Sequence, residues 1–220
     1  MTDPKSDLRH LETLDRDLDR YSKLEMGTAY ASRPIVGMGI ALVFVLLAGV
    51  SAMLFLGHSS NSAIVVIAAC LGAYMALNIG ANDVANNMGP AVGANALSMG
   101  GAIAIAVIFE SAGALLAGGD VVSTIAKGII APESMGNATT FIWAMMAALF
   151  SAALWVNLAT WVGAPVSTTH SVVGGVMGAG IAAAGFGAVN WPTMSAIAAS
   201  WVISPILGGG IAAGFLWLIK

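Results

Sequence analysis

The feature that most restricts this chain is a polar block set inside an apolar run. It reads Gly80-Ala81-Asn82-Asp83-Val84-Ala85-Asn86-Asn87-Met88-Gly89-Pro90-Ala91-Val92-Gly93. The run is long enough to cross a bilayer. An unpaired polar group in hydrocarbon costs several kcal/mol, so such a block survives there only inside protein or beside a water-filled cavity. The block therefore predicts a membrane helix broken at its middle. Its freed carbonyls and N–H groups, with Asp83 and the amides of Asn82, Asn86 and Asn87, are placed to hold a cation and a small polar solute. The plainer alternative is a polar loop between two short helices.

Composition sets the class. The chain is 58% hydrophobic and only 9% charged, against roughly one-quarter charged in a soluble domain. Most of its charged residues lie within positions 1–33, so the body is nearly uncharged and offers nucleic acid no surface. The single cysteine, Cys70, lies in an apolar run and supplies neither a disulfide framework nor a zinc site. These facts predict an all-α, polytopic membrane helix bundle.

Residues 1–33 read as a polar, cytoplasmic N-terminal tail. Within it Leu8, Leu11, Leu14, Leu18 and Tyr21 recur every three or four residues, the pattern of a short amphipathic helix or of a merely solvated segment. Its acidic residues are as frequent as its basic ones, which excludes a cleavable signal peptide. Residues 35–56 are uncharged and suffice for one span. Arg33, Lys23 and Arg20 precede this span and only uncharged His58-Ser59-Ser60-Asn61 follow it, which puts the N-terminus in the cytoplasm.

Residues 63–79 lead into the polar block and 91–99 continue beyond it. Gly89 and Gly93 form a pair that lets another backbone approach closely. The apolar run 102–117 carries Glu110 at its middle, a functional candidate by its position, or else a protonated side chain bonded between helices. Residues 118–137 read as a long polar connection, with a short interfacial helix over 121–130. Residues 141–162 form a further span, in which Trp161 suits an interfacial anchor and Asn157 an interhelical hydrogen bond. Asn190-Trp191-Pro192 reads as a turn. Residues 193–219 make the last span, kinked at Ser204-Pro205, with a close-packing face at Gly210 and Gly214.

A second polar block is Pro165-Val166-Ser167-Thr168-Thr169-His170, after Gly163 and Ala164 and before a glycine-rich helix. A proline break followed by hydroxyls at a helix start suits an oxyanion, because the helix end offers unpaired N–H groups and a partial positive charge. Ser167, Thr168 and Thr169 are the oxyanion candidates, with Asn82 or Asn86 approaching from the first block. No lysine or arginine lies nearby, so a cation must offset the solute's charge. Asp83, with Asn86 and Asn87, is the candidate for it. His170 reads first as a helix-terminal hydrogen-bonding group, then as a ligand or a proton relay.

GANDVANN resembles the signature of the inorganic phosphate transporter family, and Pro165–His170 resembles that family's proline–serine/threonine–histidine motif. The resemblance covers roughly residues 63–220. It implies ion-coupled symport of inorganic phosphate with sodium or protons, sodium being held at Asp83, and no other cofactor. It also associates Glu110, within Ile108-Phe109-Glu110, with phosphate. Family members carry both motifs twice, in halves of inverted topology. This chain carries each once, so it is expected to be the N-terminal half, pairing with a second half or another copy. Residues 34–62 then form an extra N-terminal helix ahead of the shared core, in the cell membrane, expected to be a bacterial inner membrane. Sulfate or another oxyanion is the alternative cargo. A membrane enzyme using Ser167 and His170 lacks a nucleophile elbow, and a channel or structural bundle would not need Asp83 and Glu110 together.

Overall fold

The computed structural model describes residues 35–55 and 62–220. The N-terminal tail and the segment around His58 lie outside the described residues. Those described are almost entirely helical. They form α1 (Ile35–Phe55), α2 (Ser62–Gly93), α3 (Met99–Ser123), α4 (Ala138–Val162), α5 (Thr168–Ala184) and α6 (Trp191–Ile219). Five of these, all but α5, are long and apolar enough to cross a membrane. The expectation of an all-helical, multi-pass membrane bundle is met.

The chain divides into two compact units, one ending at Cys70 and the other beginning at Leu71. In the first, α1 packs on the opening turns of α2 through a small residue. A Cβ at Gly49 would lie 2.7 Å from the Cys70 sulfur, and the Cys70 thiol sits 3.7 Å from the Val45 carbonyl as a weak donor.

The second unit is organised by the α4–α5 hairpin. Along α4, Ala144, Ala148, Ala152, Val156 and Ala159 recur at helical spacing and are buried. Small side chains let α5 come close, and its Val173 and Val176 are buried in one cluster with Ala144 and Ala148. The tightest point is Gly175, where an added Cβ would stand 2.7 Å from the Ala148 carbonyl oxygen. On α4's other flank, Ala152, Ala153 and Val156 form a second cluster with Met75 of α2.

Caps fix where the helices begin. Ser98, Asn137, Ser167 and Asn190 each accept a hydrogen bond from the backbone N–H three residues on, satisfying a donor that lipid cannot. At α4's end Gly163 takes the left-handed conformation, φ 76° and ψ 22°, which a residue with a Cβ adopts only with strain. The interruption expected at Gly163-Ala164-Pro165 is therefore present.

The break expected within residues 80–93 is not. α2 runs through the polar block as one helix with Pro90 inside it, ending at Gly93. A helix satisfies backbone groups internally, whereas unwinding at this depth would expose them. The amides need no unwound backbone, because Asn78, Asn82 and Asn86 fall on one face at four-residue spacing. Beyond Gly93 the chain turns back, with the Ala94, Asn95 and Ala96 N–H groups donating to the Pro90, Val92 and Ala91 carbonyls. Residues 91–99 are thus a helix end and a turn rather than a continued span.

The segment 118–137 also differs from expectation. Its first part continues α3, followed by a π-helical turn over Thr124–Gly128. Ile129 and Ile130 are then 0% and 1% exposed and pair with the α5–α6 connection. Ile130 bridges Val189, and the Asn190 N–H donates to the Ile129 carbonyl at 2.9 Å. These isoleucines belong to the core, so the segment is not an interfacial helix. The glycine pairs 89/93 and 210/214 meet no atom within 4 Å among the described residues, and close approach falls instead at Gly175 and Gly180.

This contact predicts a paired outcome. Gly175→Ala forces α4 and α5 apart and is expected to destabilise the fold by about 1–3 kcal/mol. Gly174→Ala, which meets open space, should be neutral or stabilising by up to about 1 kcal/mol. Thermal unfolding of the detergent-purified chain distinguishes the two, and equal melting temperatures would refute the packing argument.

Candidate functional site

The two polar blocks meet. Thr168, 6% exposed, donates its hydroxyl hydrogen to the Asp83 carboxylate, with Oγ1 at 2.9 Å from Oδ2 and 3.2 Å from Oδ1. This contact joins positions 85 residues apart in sequence. Asp83 is half-buried, and a hydroxyl beside both oxygens fixes its orientation without neutralising it. Its remaining lone pairs stay available to a cation.

Asn82 and Asn86 form the next turn of the same seam. Asn82 is 6% exposed and accepts from the Asn86 amide at 2.8 Å. The same Asn86 nitrogen approaches the Val166 carbonyl at 3.5 Å, tying α2 to the link between α4 and α5. Asn82, Asn86, Thr160, Gly163 and Pro165 border a cleft of about 200 Å³. Asn87 is exposed and makes no hydrogen bond among the described residues.

The three consecutive hydroxyls separate rather than converge. Ser167 caps α5, its Oγ accepting from the His170 backbone N–H at 3.2 Å. Thr168 points to Asp83. Thr169 faces the opposite flank of the helix start, where a larger cleft of about 550 Å³ opens. Ser167 and His170 line that cleft as well, with Asp120 of α3 and Trp201 and Ser204 of α6. The His170 ring packs on Trp201 with centroids 3.9 Å apart, so its terminal role is met by its backbone rather than its ring. Glu110 is exposed on α3 and borders neither cleft.

Sequence reasoning identified Asn157 as an interhelical group, and its side-chain amide donates to the Asn78 side-chain oxygen Oδ1 at 3.1 Å. Asn78 itself went unremarked, although it lies four residues before Asn82 and donates to the Tyr74 carbonyl. Asp120, Ser200, Trp201 and Ser204 were missed too. The α6 set had a readable signal, since positions 197, 200, 201 and 204 share one helical face. No lysine or arginine lines either cleft.

The asparagine pair is testable apart from any transport. Asn157→Leu leaves the buried Asn78 oxygen without its donor and is expected to destabilise by about 1–3 kcal/mol. Adding Asn78→Leu should recover part of that loss, with a coupling near 0.6 and at most about 1.7 kcal/mol, the range for such bonds in membranes. Strictly additive melting shifts across the four proteins would contradict the contact.

Comparison with known proteins agrees with this geometry. A model described as the phosphate transporter family matches residues 79–220, which include both polar blocks. A Helicobacter pylori (strain J99) protein, provisionally named a phosphate permease, is 50% identical over 204 residues, covering 93% of this chain. A Thermococcus kodakarensis protein, also provisionally named a phosphate permease, is 46% identical over 147 residues, or 67% of the chain. A solved structure titled "The sodium-dependent phosphate transporter" superposes with a TM-score of 0.61 at 46% identity, covering 67% of this chain and 36% of its own. The chain spans 38% of the Helicobacter relative and 36% of the Thermococcus one. With well over half of its length matched by the family model and its signature blocks in contact, this multi-pass membrane chain belongs to the phosphate transporter family.

Proposed function

We propose that this chain supplies the N-terminal half of an ion-coupled transporter of inorganic phosphate, with Asp83 as the cation site. The observation that carries the reading is the Thr168–Asp83 hydrogen bond, which links the two signature blocks. A carboxylate held by one hydroxyl offers hard oxygen ligands to sodium. Asn86 and Asn87 lie three and four residues beyond Asp83, on the same side of the helix. The name of the solved relative, a sodium-dependent phosphate transporter, favours sodium over the proton.

Ser167 and Thr169 supply the oxyanion contacts on the other flank of α5's first turn. Thr168 acts through Asp83 rather than on the anion, and Asn82 and Asn86 border the smaller cleft. Glu110 takes part only where the second half reaches α3. With no lysine or arginine in either cleft, a bound anion is balanced by the cation, which is the physical basis of coupling. An enzyme reading has less support. The Ser167 hydroxyl oxygen is engaged by a backbone N–H and the His170 ring by Trp201, so no nucleophile–base pair forms.

On this reading residues 1–33 are a cytoplasmic tail, residues 34–62 an added helix, and residues 63–220 the first repeat. The family model begins at residue 79, within α2, and so leaves out α1 together with the first turns of α2. The basic flank at Arg20, Lys23 and Arg33 directs the N-terminus to the cytoplasm of a bacterial inner membrane. The site's open side awaits a second half or another copy.

Two experiments test this. The complete transporter is assembled from this chain and the remaining part of the Helicobacter pylori relative, then reconstituted in liposomes. Asp83→Asn should abolish sodium-dependent phosphate uptake while the protein stays in the membrane. Thr168→Val removes one hydrogen bond to a charged group, and should weaken sodium activation by roughly 10- to 150-fold. Unaltered sodium dependence in Asp83→Asn rules the assignment out. Residues 1–220 alone should insert yet take up nothing. Robust uptake by the chain alone would point to a dual-topology homodimer instead.

A further inference from the structure

The larger cleft holds polar groups that the cation reading does not use. Its walls include Val121, Ile125 and Val173. Set among them are the Asp120 carboxylate, the Thr169 and Ser204 hydroxyls and the His170 ring. None of these four side chains has a hydrogen-bonding partner among the described residues. The other hydroxyls nearby are engaged, Thr124 donating to the Asp120 backbone carbonyl and Ser200 to that of Ile197.

The four side chains, from α3, α5 and α6, are exposed around the cleft, so water or a ligand supplies their partners.

Their chemistry is specific. Thr169, Ser204 and the His170 ring N–H are donors, whereas Asp120 can only accept. A sodium ion needs an oxygen cage, and the helix carbonyls here are already paired. A tetrahedral oxyanion that carries one proton fits better, with unprotonated oxygens toward the three donors and its O–H toward the carboxylate. Hydrogen phosphate always has such a hydrogen at neutral pH. Sulfate has none, so an unprotonated sulfate oxygen would face the Asp120 carboxylate as a like charge.

We propose that Asp120 makes this cleft selective for a protonated oxyanion, hydrogen phosphate or hydrogen arsenate, against sulfate. The proposal rests on the reading of α5's Thr169 flank as the oxyanion face and adds the residue that discriminates. Sites built to hydrogen-bond a ligand O–H reject analogues lacking it very strongly, so discrimination of at least about 100-fold is expected.

The test reads anion binding from Trp201 fluorescence in the assembled transporter, with Trp201→Phe as the blank. In the wild type, sulfate should displace phosphate only at about 100 times or more the phosphate concentration, while arsenate competes evenly. Asp120→Asn can donate to sulfate and should lower the sulfate-to-phosphate ratio at least about tenfold, with Asp120→Glu restoring most of it. If Asp120→Asn fails to reach the membrane, Asp120→Ser removes the carboxylate equally and the same fall is expected. An unchanged ratio in whichever variant is made overturns the role of Asp120 and leaves the oxyanion reading intact. Absence of phosphate binding by the wild type overturns both.

Discussion

The second unit depends on a carboxylate that has to be satisfied inside an apolar bundle. Asp83 lies on α2, and the group that holds it, the Thr168 hydroxyl, comes from the first residue of α5. For the two to meet, α5 must begin where α2 carries its acid. That position is set by the glycine stop at Gly163 and the Ser167 cap, which leave only a short link between α4 and α5. The polar contact is thus a consequence of where two helices are made to end and start.

Packing holds that geometry in place. Alanines along α4 admit α5 on one flank and Met75 of α2 on the other, so α4 serves as a common wall for both partners of the polar contact. The Asn157–Asn78 bond crosses between α4 and α2, and Asn82 and Asn86 continue the seam toward the Val166 carbonyl. Hydrogen bonds between membrane helices are individually modest, so a row of them on a close-packed wall specifies register more than it adds stability.

Much of this was legible in the sequence, for identifiable reasons. Composition and run length set the class, and the two blocks marked the helices that meet. Gly163 and Pro165 announced the interruption because their backbone limits are local. The polar block at 80–93 misled, because side-chain polarity does not reveal whether backbone must unwind. Four-residue spacing of the asparagines was the better guide, and it favoured an intact helix. Ile129 and Ile130 were hidden within a stretch of mixed polarity, and only long-range pairing with Val189 and Asn190 explains their burial. Neither the divergence of Ser167, Thr168 and Thr169 nor the gathering of Asp120 and Ser204 could be read from local pattern, since each depends on which helix packs beside them.

The separation of the three hydroxyls bears on coupling under the proposed function. Had they converged on one anion, Asp83 would have been a bystander. Instead, successive residues of one helical turn face two different places, with Thr168 on the acid and Thr169 on the larger cleft. Filling the cation position changes the charge that Thr168 orients, and that hydroxyl is covalently one residue from the anion's contact. Neither cleft is lined by a lysine or arginine, so an anion at Thr169 would be repelled by the uncompensated Asp83 that the neighbouring Thr168 holds. A cation at Asp83 removes much of that repulsion. Linkage requires the reverse as well, so the anion raises the affinity for the cation by the same factor. Under the proposed function, this linkage favours binding of cation and anion together. It follows from one short turn and the absence of a fixed positive charge.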